Sequence, residues 1–179
     1  MADRKATIER NTKETQIRIQ VDLDGTGVSE IETGIGFFDH MLTHLSKHGL
    51  IDLQVECKGD LDVDAHHTVE DVGIAIGKCI AQAVGDKAGM VRYGCATIPM
   101  DEALVMTALD ISGRGSLVYG VTIKKEMVGS FDSDLAPEFF KSLCVNAGIN
   151  AHIRQLDGSN AHHVIEAAFK SFARALRDA

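Results

Sequence analysis

The sequence predicts an α+β fold made of two similar halves, and three observations carry that expectation. Strand-period and helix-period segments follow one another in the same order twice along the chain. An Ala-His-His-x-x-Glu motif recurs at a constant offset of 96 residues, first over Ala65–Glu70 and again over Ala161–Glu166. The composition, 45% hydrophobic and 25% charged over 179 residues, suits a chain that buries a core without disulfide staples.

Residues Thr7–Leu23 read as a half-buried strand, because Ile17, Ile19, Val21 and Leu23 alternate with Arg18, Gln20 and Asp22. Asp24-Gly25-Thr26-Gly27 is a turn and Val28–Ile31 a shorter returning strand, so the opening reads as a hairpin. Phe37, Phe38, Met41, Leu42 and Leu45 fall at helical spacing over Phe37–His48, with Gly49 as the expected stop. Leu50–Cys57 reads as a strand and Ala65–Val84 as a helix ended by Gly85. The second half repeats the order. Gly94–Pro99, Ala103–Asp110 and Leu117–Lys124 are expected strands, Leu135–Ala147 a helix, Ile149–Gln155 a strand and Ala161–Leu176 a helix. The repeats divide the chain at residues 1–90 and 91–179 as one compact structural unit. Pairing His40 with Glu138 (offset 98) also aligns Leu45 with Leu143 and Val55 with Ile153.

Charge and composition exclude several functions. Eighteen Lys and Arg stand against 26 Asp and Glu, a net −8, which argues against a nucleic-acid partner because phosphate backbones need a basic face. No apolar run approaches membrane-spanning length, and the charged start shows no signal peptide, so no membrane association and a cytoplasmic location are expected. Cys57, Cys79, Cys95 and Cys144 form no Cys-x-x-Cys pattern and read as reduced thiols.

The histidines carry the chemistry. Residues three and four apart share a helix face, so His66 or His67 can act with Glu70, and His162 or His163 with Glu166. Adjacent histidines point about 100° apart, so one can serve one ion and its neighbour another. One such pair alone is ordinarily a capped-helix surface pair; two, each with a matched Glu, point to metal. Imidazole with carboxylate suits manganese, zinc, iron or nickel and disfavours a calcium cage. Asp64 and Asn160 stand where N-caps are expected. His40, His44 and His48 form a stripe that reads equally as a solvated face or a site, with Asp39-His40 at the helix start singling out His40. Arg92, Arg114 and Lys170 are each an ordinary surface charge taken singly, although glycines flanking Arg114 admit an anion closely. No P-loop, nucleophile elbow or Cys–His pair is present.

Seven ordered segments resemble the imidazoleglycerol-phosphate dehydratase family. They are Arg10–Thr15, Thr33–Leu42, Asp64–Asp71, Arg92–Gly94, Pro99–Ala103, Asp110–Arg114 and Asn160–Ala167. The resemblance implies a duplicated fold in which each half is a four-stranded sheet with two helices on one face (ribosomal protein S5 domain 2-like). It also implies a homo-oligomer, an octahedral 24-mer, with active sites between subunits. The implied activity is a hydro-lyase of L-histidine biosynthesis that converts D-erythro-imidazole glycerol phosphate, a small phosphate ester, to imidazole acetol phosphate.

The same resemblance implies two manganese ions (Mn2+) per active site, held by His40, His66, His67, Glu70, Glu138, His162, His163 and Glu166. Some family members carry His where this chain has Glu138. The two cations would hold the substrate ring as imidazolate while the hydroxyl leaves. Glu14 and His48 are the implied proton-transfer residues, with Glu70 and Glu166 also counted as catalytic. Glu14, His40, His48 and Asp101 are expected at the substrate, and Arg92, Arg114 and Lys170 at its phosphate. Two departures set further expectations. The chain lacks the family's basic tail with its Ser-x-Lys-Gly signature, so a truncated form with impaired turnover and a trimer or smaller assembly is expected. Ala65 stands where an acidic residue often precedes the His pair, so a carboxylate supporting the metal ligands is expected to be missing. A dinuclear hydrolase and a metal-joined, non-catalytic shell are the competing readings.

Overall fold

Each half of the chain closes a four-stranded sheet from the same pieces in the same order, and the computed structural model describes them over residues 4–124 and 127–179. In the first half β1 (Lys5–Asn11), β2 (Thr15–Asp22), β3 (Ser29–Glu32), α1 (Gly36–Gly49), β4 (Asp52–Gly59) and α2 (His66–Val84) give the strand order β1-β2-β4-β3. The second half adds β5 (Tyr93–Met100), β6 (Ala103–Asp110), β7 (Ser116–Gly120), β8 (Met127–Val128), β9 (Phe131–Asp132), α3 (Leu135–Ala147), β10 (Asn150–Asp157) and α4 (Ala161–Asp178), in the matching order β5-β6-β10-β7. In both sheets the last-listed strand pairs in parallel with its neighbour and the other pairs are antiparallel.

The alternation that predicts β2 is the alternation of its burial: Thr15, Ile17, Ile19 and Val21 are buried while Gln16 and Arg18 face solvent. β4 and β6 repeat it with Leu53 and Val55, and with Ala103, Val105, Thr107 and Leu109. These inward faces are covered by helices, α1 and α2 on the first sheet, α3 and α4 on the second. The halves then meet helix to helix, α2 against α3 and α1 against α4. Phe139, Phe140, Phe169 and Phe172 stack at the centre, with ring centroids 4.6 Å apart for Phe140–Phe169 and 5.2 Å for Phe139–Phe169. No helix of the described residues is long and apolar enough to cross a membrane.

Four local expectations are corrected. The segment Thr7–Leu23 is two strands, folded into a hairpin whose connection is fixed by Thr12, which accepts from the backbone N–H groups of Glu14 (3.1 Å) and Thr15 (2.9 Å). The expected hairpin across Asp24–Gly27 does not form, because β3 crosses over to pair in parallel with β4. Helix α1 runs through Gly49, and Leu50 takes the left-handed terminating conformation (φ 53°). The strand expected over Leu117–Lys124 spans only Ser116–Gly120, and β8 and β9 form a short hairpin that no periodicity announced.

Candidate functional site

Side chains hold the starts of both motif helices, although the N-cap of α2 is Ala65 and not the expected Asp64, which sits one residue earlier. Asn160 Oδ1 accepts from the backbone N–H groups of His162 (3.0 Å) and His163 (3.4 Å), which fixes the first turn of α4. Asp64 Oδ1 accepts from the backbone N–H of His66 at 2.8 Å at the start of α2. Helical periodicity then sets His162 beside Glu166 and His66 beside Glu70, and turns His163 and His67 away.

Where α1 packs on α4, the stripe from α1 meets Glu166. The side chain of Glu166 is 5% exposed, and its Oε2 faces His40 Nε2 at 3.2 Å and His162 Nε2 at 3.1 Å. Its other oxygen accepts from Lys170 Nζ at 2.6 Å and faces His44 Nε2 at 3.3 Å. Phe37 stands edge-on to the His162 ring, 5.1 Å away. Burial alone would raise the Glu166 carboxyl, but Lys170, His44 and His162 hold it down at about 2. Burial pushes His44 down to about 4 against the pull of Glu166. His48, stacked 5.5 Å from His44, is also lowered by burial, with the charges of Lys170 and Arg174 adding.

The donor atoms of His40, His162 and Glu166 lie within 4.8 Å of one another. Two imidazoles and a carboxylate converging this closely suit a first-row transition-metal ion. Lys170 occupies one carboxylate oxygen and leaves the other turned to both rings, so the set is oriented as well as gathered.

The equivalent set at the α2–α3 seam is looser. His66 Nε2 is 3.9 Å from Glu70 Oε2, and Glu70 is 42% exposed. Glu138 shares with His66 a cavity of about 610 Å³ that Asp64, Asp132 and Asp134 also line. Lys141 lies 3.4 Å from Glu138.

The second histidine of each motif is held from behind. His67 Nδ1 is 3.0 Å from Asp60 Oδ2, and His163 Nδ1 is 2.7 Å from Glu102 Oε2. These bonds raise both imidazoles above their ordinary values. Glu102 in turn is held at about 2, first by His163 and then by the backbone N–H of Asn160. Although position 65 is Ala, His67 has a carboxylate partner in Asp60, which reaches it from the loop after β4.

The remaining expected site residues divide between regions. Glu14 sits on the β1–β2 connection, and its charge reaches His67. That hairpin is tied to α2 by Asp71, which is buried and accepts from Arg10 Nη2 (2.7 Å) and Thr15 Oγ1 (2.6 Å). His48 belongs instead to the α1–α4 seam. Arg92 Nε donates to Asp110 at 2.7 Å; Arg92 holds that carboxyl below its usual range and Arg114 adds to the effect. Lys170, next to Met100, lies at the far end of β5 from Arg92, and the steps from Tyr93 to Met100 alone span roughly 23 Å at about 3.3 Å per residue. One chain therefore does not gather the three cations in one place. Asp101 Oδ2 lies 3.6 Å from His163 Nε2.

Three partners were not among the expected site residues. His44 had a signal, its position four residues after His40 on one helical stripe. Asp60 had only nearness in sequence to His67. Glu102 had only its place in the Pro99–Ala103 segment of the resemblance, since 61 residues separate it from His163 and no spacing rule joins them.

Fold and site together define a class: a duplicated α+β protein that gathers imidazole–carboxylate sets where the helices of its halves meet. The chain belongs to the imidazoleglycerol-phosphate dehydratase family, a family of enzymes whose model matches residues 33–176. A relative from Dinoroseobacter shibae named imidazoleglycerol-phosphate dehydratase is 58% identical over 98% of this chain and 90% of its own length. Another of that name, from Acetivibrio thermocellus, is 55% identical over 99% of this chain and 91% of its own. The crystal structure of the Staphylococcus aureus enzyme superposes with a TM-score of 0.87 at 42% identity, covering 96% of this chain and 95% of that one. The Pyrococcus furiosus structure does so with a TM-score of 0.85 at 37% identity, over 96% and 92%.

Proposed function

We propose that this chain removes water from D-erythro-imidazole glycerol phosphate to give imidazole acetol phosphate, in L-histidine biosynthesis in the cytoplasm, with two manganese ions per active site. The observation that carries the reading is the repetition of one donor pattern in a chain of this family. His40, His162 and Glu166 converge at one seam, and Glu138, His66 and Glu70 take the matching positions at the other. Bound there, divalent cations supply Lewis acidity toward the nitrogens of the substrate ring.

His67 and His163 commit Nδ1 to Asp60 and Glu102 and stand outside the converging set of His40, His162 and Glu166, which supports ligation through Nε2 shared with other copies in a homo-oligomer. The chain's own residues then do the rest. Glu14, held by the Asp71-anchored hairpin, and His48, on the α1 stripe, move protons at the glycerol carbons. Arg92, Arg114 and Lys170 neutralise the phosphate ester, with a second subunit bridging the length of β5. Asp101 sits at the rim beside His163.

Turnover of imidazole glycerol phosphate with added manganese tests this. A ketone product with the phosphate still esterified is expected, together with loss of turnover on chelation. Replacing Glu14 by Gln should abolish turnover and leave metal content intact. Release of inorganic phosphate would instead mark a hydrolase, and absence of any product from the manganese-loaded protein even after a Ser-x-Lys-Gly tail is added would overturn the proposal.

A further inference from the structure

Asp60 and Glu102 do the same job from unrelated places in the fold. One lies on the loop leaving β4 and the other in the two-residue turn Asp101-Glu102 between β5 and β6, yet each holds the Nδ1 of the second histidine of a His-His-x-x-Glu motif. The geometry points to Glu102 and Asp60 as positioning residues: each fixes its histidine in the tautomer with the proton on Nδ1, so that Nε2 offers its lone pair to a metal ion. This rests on the proposed role of His163 and His67 as ligands.

A neutral imidazole has one N–H and one bare nitrogen, and only the bare nitrogen can ligate. A carboxylate can only accept, so a carboxylate at Nδ1 draws the proton there. The competing acceptor at His163, Asp101 Oδ2, is 3.6 Å from Nε2, too far for a hydrogen bond.

The two carboxylates differ in one testable respect. Glu102 Oε1 accepts from the backbone N–H groups of Asn160 (2.8 Å) and Ser159 (3.2 Å), while Oε2 serves His163. Both atoms are therefore committed to donors. In Glu102→Gln the carboxamide oxygen must stay on the backbone N–H groups, because these can only donate. Its NH2 then faces His163 Nδ1 and forces the proton onto Nε2. Asp60 Oδ1 is buried and has no hydrogen-bond partner among the described residues. In Asp60→Asn the carboxamide is free to turn its oxygen to His67, and the tautomer is kept.

The test uses the full chain labelled with [15N]histidine and stripped of metal. Solid-state NMR at about pH 9, where imidazoles are neutral, reads each tautomer. His163→Asn and His67→Asn assign the signals by loss. The expected result is Nδ1–H at His163 in the unaltered chain, Nε2–H in Glu102→Gln, and unchanged Nδ1–H at His67 in Asp60→Asn. Equilibrium dialysis with manganese should show affinity reduced about 10–100-fold in Glu102→Gln, and no more than about threefold in Asp60→Asn. A His163 tautomer that survives Glu102→Gln overturns the proposal, as does an inverted tautomer with unchanged affinity. Inversion in Asp60→Asn overturns the argument from pinned backbone donors. Failure of the unaltered chain to bind manganese, with tautomers as stated, overturns the metal reading itself and is distinguishable from the other outcomes.

Discussion

The two seams between the halves share one backbone plan and hold their donors differently. At the α1–α4 seam Glu166 is 5% exposed and is met by two imidazoles, a third from His44 and the ammonium of Lys170. At the α2–α3 seam its counterpart Glu70 is 42% exposed and its nearest ring nitrogen is 3.9 Å away. The cause lies in two aligned positions. Offset 96 puts Ile74 where α4 has Lys170, and offset 98 puts Ser142 where α1 has His44. The second seam thus repeats the donor pattern without the ammonium and the extra imidazole that gather round Glu166 in the first. Duplication preserves helix phase at no cost in sequence change, whereas preorganisation depends on neighbours that diverge independently.

Removing the two carboxylates should break this likeness most sharply. Glu166→Ala strands a mostly buried ammonium at Lys170 and is expected to cost about 3 kcal/mol in the metal-free protein. Glu70→Ala removes an exposed group and should stay within about 0.5 kcal/mol. Both should lower manganese content. Urea unfolding of the metal-stripped variants separates the two effects, and equal destabilisation would sink the account of the seams.

Helix spacing provides a second contrast. A Cβ at Gly77 would stand 2.5 Å from the Leu143 carbonyl oxygen, and one at Gly73 2.9 Å from that of Phe139, so α2 approaches the α3 backbone directly. The aligned positions on α4 are Ala173 and Phe169, which pack toward α1 and the aromatic core. Ala is ordinarily the better helix former by about 1 kcal/mol. At Gly77 the order should reverse, with Gly77→Ala destabilising by about 1–3 kcal/mol through overpacking. The displaced α3 should carry Glu138 away from His66, so metal content should fall too. A more stable Gly77→Ala variant would show that the seam has slack.

How much of this was legible from the chain follows from the range of the interactions. Helical phase is local, so His66, Glu70, His162 and Glu166 could be set on common faces from spacing, and the offset of 96 revealed the duplication. The meeting of His40 with Glu166 spans 126 residues and was reachable only through the family likeness. Strand partners depend on topology, which is why β3 was expected beside β2 rather than beside β4. Glu102 stands inside a segment of the family resemblance, but nothing near it in sequence reports its grip on His163. Lys170, four residues after Glu166 on one helix, is placed by spacing to face it, although the resemblance points to it as a phosphate cation instead.

The smallest expected difference concerns the loops beneath the sheets and sharpens the comparison by pH. Asp52 Oδ1 accepts from the backbone N–H groups of Thr26 (2.8 Å) and Val28 (2.9 Å), which binds the Asp24–Gly27 turn to the start of β4. The aligned residue in the second half is Asn150, which carries no charge. The bonds to Val28 and Thr26 depress the Asp52 carboxyl below its ordinary value. A carboxyl that binds its proton less readily when folded stabilises the fold above its ordinary value, and this contribution disappears as pH falls through the depressed one. Asp52→Asn keeps an acceptor without the charge, so it should be slightly less stable than the unaltered chain at neutral pH. Melting of the metal-free proteins between about pH 5 and about pH 2 should show the gap closing as Asp52 takes up its proton. Parallel curves down to about pH 2 would mean that the charge contributes nothing. Asn150→Asp offers the converse, since an aspartate on β10 without a matching loop should create no comparable acid-sensitive gain.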